Sequence, residues 1–257
     1  MDNLGFSIVP DPMSHKLNDI TLYYHSNEEI GNREIARKFV GRQNVVSDLY
    51  VQFLNKYKPK GTSRISVQLE DEEDAVIGYF GSILMVKAKF EKNDYLKKNE
   101  YEQNKLILDT VHRIAILCAD VYNWERKVFE DAYLKVLQCN FEYRIEYTRK
   151  YSKDKKHLGA ISIEKTEEFA AIYVNFYNNY SDPIGKVMIL KTFQNEMFYG
   201  GIIRKYKWFN NREFGLYTTN EELTIRASLD SSTPQIIIEP KLSRKDQIEG
   251  FLRSITY

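Results

Sequence analysis

The sequence predicts an α+β fold: mixed strands and helices at the N-terminus, one long central helix at about 99–139, a large antiparallel β-meander, and a short C-terminal helix. Three observations carry this. Apolar residues keep a helical period between 99 and 139 with neither Gly nor Pro, period two dominates 141–240, and strand-like alternation flanks a helical stretch before residue 90. The composition is that of a globular chain, with 43% hydrophobic and 28% charged residues, and at 257 residues it is long enough for a substantial core. The expected organisation is an α+β half, 1–140, and a β-meander with its terminal helix, 141–257, packed as one compact unit.

Taken in order, residues 6–9 and 20–25 read as short extended segments separated by the Pro10-Asp11-Pro12 loop. Ser26 and Glu29 have capping-box spacing. Val46, Leu49, Tyr50, Phe53, Leu54 and Tyr57 then recur on one helical face until "KPKG" stops the helix, with Gly41 expected to divide it into two pieces. Ile65, Val67 and Leu69 alternate with polar residues as a half-buried strand, and Leu84, Val86, Ala88 and Phe90 do so again. Between these two strands lie five consecutive acids, which places the acids in a hairpin connection.

Stepping by 3.6 residues from Ile107 gives Val111, Ile114, Cys118, Val121, Glu125, Val128, Ala132 and Val136, and the phase does not slip. This predicts one continuous helix of roughly 60 Å, at about 1.5 Å per residue. Its middle, 114–119, is apolar on all faces and is expected to be wholly buried. Beyond it, strands are expected near 141–147, 158–164, 169–178, 186–193, 197–208, 213–218, 223–229 and 235–239. Ser243 precedes Asp246 by three residues, and Ile248, Phe251, Leu252 and Ile255 share a face, which reads as a capped terminal helix.

Charge and motif content narrow the function. The net charge is +1; residues 1–140 hold 19 Lys and Arg against 21 Asp and Glu, and the remainder 18 against 15. Neither half carries the basic excess that phosphate-backbone binding usually requires, so nucleic acid is disfavoured as a partner. No uncharged run reaches the roughly 18 residues of a membrane span, 75–86 falling far short, and the N-terminus lacks the basic and apolar regions of a secretory signal. A cytoplasmic protein without a membrane partner is expected. Cys118 and Cys139 have neither metal-type spacing nor a disulfide framework, and no phosphate-cradling glycine loop or nucleophile elbow occurs, so no metal and no cofactor are expected.

Two stretches are candidate partner-binding sites. The first is the acidic run, Glu70, Asp71, Glu72, Glu73 and Asp74, whose concentrated charge would steer a basic partner. The bland reading is a solvated loop that keeps neighbouring apolar strands soluble. The second is "RKYKWFNN", 204–211, where a strand would put Arg204, Tyr206 and Trp208 on one face beside basic residues, as single-strand nucleic-acid binders do. Its bland reading is an edge strand using aromatics for packing and lysines for solubility. Among the four histidines only His112 has a carboxylate at helical spacing, Asp109, a pair able to orient a base or merely to bond on a helix surface.

A chain rich in Tyr, with a concentrated acidic patch and no reaction motif, reads as a non-catalytic protein-binding module. Its concrete form would be a stoichiometric inhibitor, such as an immunity protein against a basic toxin. The alternatives are a single-stranded nucleic-acid-binding protein, and an enzyme or structural subunit whose dispersed residues leave no motif.

Overall fold

The computed structural model describes residues 15–24, 32–194, 205–217 and 223–238. The extended segment at 6–9, the Ser26 cap, residues 197–204 with Arg204, and the terminal helix after Ser243 lie outside them. The chain divides into two compact units, Met1–Phe141 and Glu142–Tyr257. The α+β class with antiparallel meanders is borne out. Among the described residues no helix is long and apolar enough to cross a membrane.

The first unit is a mixed four-stranded sheet carrying helices on one face. Its strands are β1 (Asp19–Tyr23), β2 (Arg64–Glu70), β3 (Ala75–Phe80) and β4 (Ile83–Lys89), in the spatial order β1-β2-β4-β3. The pairs β1/β2 and β2/β4 are parallel, and β3/β4 is antiparallel. The register aligns Ile20 with Ile65 and Leu84, and Leu22 with Val67 and Val86. Together with Leu69 and Ala88 these make the buried face. The period of two predicted which residues would be buried, because alternate side chains leave a strand on opposite faces.

Between β1 and β2 runs α1 (Arg33–Phe53), started by Asn32, whose side chain accepts from the Ile35 N–H at 3.0 Å. It continues through Gly41 without the expected division. Gly41 is buried in it, and the packing of Ala36, Phe39, Val46, Leu49 and Tyr50 outweighs the roughly 1 kcal/mol that glycine costs a helix. A short helix, α2 (Lys92–Lys97), precedes α3 (Glu100–Tyr122), which opens on a full capping box between Asn99 and Glu102.

The expected continuous helix is two helices, α3 and α4 (Arg126–Gln138). Asn123 adopts the left-handed conformation, φ 55° and ψ 45°, and ends α3. Asn tolerates this region nearly as well as glycine, so the missing Gly and Pro did not exclude a break. Trp124 turns inward between Tyr122 and Phe129, and Arg126 reaches back to Asp120 at 2.7 Å. The chain then doubles back: Tyr133 meets Lys105 and Asp109, and Phe141 packs on Tyr101. Three residues link the helices, close to one 3.6-residue turn, so the apolar phase survives the reversal. Within 114–119, Ile116 and Leu117 are only partly covered, because their flank of α3 lies off the hairpin seam.

The second unit is two antiparallel sheets rather than one meander. One holds β5 (Tyr143–Glu146), β7 (His157–Lys165), β8 (Ala170–Asn178) and β9 (Pro183–Thr192) in that order, with β6 (Lys150–Tyr151) also paired to β7. The other is β10 (Tyr206–Trp208), β11 (Glu213–Tyr217), β12 (Leu223–Ser228) and β13 (Ser231–Ile238). They face each other through rings: Trp208 lies 5.8 Å from Phe176 and 5.2 Å from Phe214. Opposite Phe214 sits Gly159, where a Cβ would stand 2.6 Å from the ring, so only glycine leaves that aromatic its space.

Candidate partner-binding surface

The acidic run does not close a hairpin. Since β2 and β4 are parallel, the run carries the chain past β4 into the edge strand β3, and the hairpin is β3–β4, turned at Gly81 with φ +61°. Tertiary structure then separates the five carboxylates. Glu70, the last residue of β2, accepts from Lys87 Nζ at 2.9 Å, and this bond holds the Lys87 ammonium above its ordinary pKa. Asp74 accepts the Lys89 backbone N–H at 2.8 Å and the Arg113 guanidinium at 2.6 and 3.2 Å. Arg113 also donates to the Lys89 carbonyl at 2.6 Å.

Both ends of the run are thus tied down, and its middle projects into solvent. Asp71 is exposed, and the Glu72 and Glu73 side chains keep 76% and 91% of their exposure while only loosely paired with Lys87 and Lys89, at 3.6 and 3.7 Å. Exposed pairs at such distances contribute little to stability and leave the carboxylates free to exchange partners. The edge strand that follows shows Ile77 and, at its far end, Phe80 to solvent, the latter 62% exposed. The register slips between Val76 and Gly78, a bulge of the kind that discourages indiscriminate edge pairing. Nothing in the sequence marks Arg113 as an anchor; Lys87 and Lys89 could have been found, since the alternation of β4 puts both opposite its buried face.

The second candidate stretch behaves differently. Tyr206 and Trp208 are buried in the sandwich, packed against Phe214. Tyr206 donates its hydroxyl to the Thr148 carbonyl at 3.1 Å, and Trp208 donates Nε1 to the Lys150 carbonyl at 2.7 Å. Their rings hold two sheets together and present no face for stacking a base, because the period of two turned them inward. Arg204 lies outside the described residues.

His112 and Asp109 do not pair. Asp109 is held by Lys105, at 2.7 and 2.8 Å, and by the Tyr133 hydroxyl at 2.7 Å. The imidazole Nδ1 instead meets the Tyr50 hydroxyl at 3.0 Å, and that hydroxyl donates to the Phe129 carbonyl at 3.2 Å. Burial lowers the His112 pKa below its ordinary 6.5, against the opposing pull of Glu130 and Asp109. A base whose folded pKa is depressed takes up its proton first in the unfolded chain, so its contribution is intact above about pH 6.5 and is lost as pH falls toward the folded value. Urea midpoints measured at about pH 7.5 and 5.5 should show the wild type losing more stability than His112→Gln; equal losses would refute the assignment.

No family model matches the chain, and no curated protein and no solved structure matches it significantly.

Proposed function

We propose that this chain is a non-catalytic protein-binding module that docks a basic partner protein through the acidic connection and the adjoining edge strand. The carrying observation is the anchoring of that connection: Lys87 and Arg113 fix its two ends, so Asp71, Glu72 and Glu73 stand in solvent at a defined place, and the edge strand that follows exposes Ile77 and Phe80. A pre-ordered acidic tip lowers the entropic cost of association, and neighbouring apolar side chains supply the contact area that charge alone lacks. The form this suggests is a stoichiometric inhibitor, such as an immunity protein against a basic toxin. A single-strand nucleic-acid reading has less support, since its two stacking aromatics are buried.

Affinity capture from the source organism followed by kinetics on the captured protein tests the reading. The expected partner is one dominant basic protein. Its association rate should fall severalfold, and lose much of its salt dependence, with the combined variant Asp71→Asn, Glu72→Gln, Glu73→Gln. An association rate that the triple variant leaves unchanged would sink the proposal.

A further inference from the structure

We propose that the outer face of the five-stranded sheet in the second unit holds a binding site for a small anionic ligand, one carrying a carboxylate or phosphate together with a hydroxyl or amine donor. A cleft of about 560 Å³ opens there, within the range of roughly 300–1,000 Å³ typical of small-molecule sites. Its polar lining is Arg144, Glu146, Arg149, Asn175, Tyr177 and Lys186.

The charges are arranged to leave a surplus of donors. Glu146 is spent on internal bonds: one oxygen accepts from Arg149 Nε at 2.9 Å, and the other accepts from the Tyr177 hydroxyl. The Arg149 guanidinium also sits over the Tyr177 ring, 3.7 Å from its centroid. It is held at Nε, and no carboxylate or carbonyl among the described residues accepts from its outer N–H groups. That is a pre-ordered fork of the sort that recognises carboxylate and phosphate. Across the cleft, Glu164 is shared by Lys186 at 2.7 Å and Arg144 at 3.6 Å, so three cations face two carboxylates.

The floor adds a second requirement. Asn175 is buried in the sheet and donates Nδ2 to Ser162 Oγ at 2.7 Å, which leaves its Oδ1 as an acceptor at the base of the cleft. That oxygen is not sealed from solvent, so a ligand that brings a donor can bond to it in place of water. Pro183 and Ile184 form an apolar wall suited to a short carbon skeleton.

Titration of the full ¹⁵N-labelled chain with glycerol 3-phosphate and with lactate, at constant ionic strength, tests this through the Asn175 side-chain amide signal, with glycerol as the uncharged control. Saturable shifts with at least one anion are expected, and which anion saturates separates a phosphate site from a carboxylate site. Arg149→Gln should weaken binding about tenfold or more, while Arg212→Gln, remote in sequence and paired with Asp230, should leave it unchanged. Because Arg149 also positions Glu146 and Tyr177, Lys186→Gln is the second variant, expected to weaken binding severalfold without that disturbance. The proposal is overturned if neither anion saturates by about 20 mM, if glycerol binds equally well, or if both cleft variants bind as the wild type does.

Discussion

Gly215→Ala is expected to destabilise the chain by about 3 kcal/mol or more, at the upper end of what overpacking costs. Gly215 is buried in the middle of β11, paired with Lys207 on one side and Arg226 on the other. A Cβ there would run into the Ile225 carbonyl oxygen and stand 2.9 Å from Arg226 Cα. These are backbone atoms of the neighbouring strand, so no rotamer change relieves the clash; β11 and β12 would have to separate and give up ladder hydrogen bonds. Gly159→Ala is the informative comparison. Its Cβ meets the Phe214 ring first, at 2.6–2.9 Å, and a ring can tilt, although Tyr206 and Trp208 restrict it. That substitution should cost about 1–3 kcal/mol. Urea denaturation of the two variants measures both; a Gly215→Ala variant within about 1 kcal/mol of wild type would contradict the β11–β12 register.

The second large effect is expected at the anchor of the acidic connection. Asp74→Ala should cost about 1.5–3 kcal/mol, whereas the triple change at Asp71, Glu72 and Glu73 should stay within about 0.5 kcal/mol of wild type. The Arg113 pair by itself would not justify that figure, since the arginine side chain is 47% exposed and half-exposed ion pairs are discounted to under about 1 kcal/mol. The Asp74 carboxylate, at 19% exposure, also holds the Lys89 backbone N–H, which alanine would leave without an acceptor at the end of β4. Asp74→Asn keeps an acceptor for that N–H while removing the charge, so it should lie between wild type and alanine. Thermal melts of the three variants decide the matter. Loss of stability in the triple variant with none in Asp74→Ala would show that the anchoring and exposed carboxylates are the reverse of those assigned.

Five adjacent acids are chemically equivalent in the sequence, and their spacing contains nothing that distinguishes Asp74 from Glu73. The distinction comes from Arg113, 39 residues away, and from the Lys89 N–H, 15 residues away. In the same way the basic and aromatic interleaving of 204–211 was legible, but which face turned inward depended on a second sheet that supplies Phe176 and Phe214. The anionic cleft had no sequence signal at all: Arg149 and Tyr177 are ordinary residues until β7, pairing with β5 and β6 on one side and β8 on the other, brings the link that holds Arg149 over the Tyr177 ring.

Periodicity alone determined the class, most strand positions, and which residues of each strand face a core, because a side chain's direction is set locally by the backbone at period 2.0 or 3.6. It carries phase but not direction. The unbroken stripe from Ile107 to Val136 is therefore as consistent with α3 folding back into α4 as with one straight helix, and only the left-handed turn at Asn123 with Trp124 packed inside selects the hairpin. Strand order is non-local for the same reason. Alternation in 65–69 and 84–90 is identical whether the two strands run parallel or antiparallel; the choice fell to β3, which pairs antiparallel with β4 and leaves β2 to take the other edge in parallel.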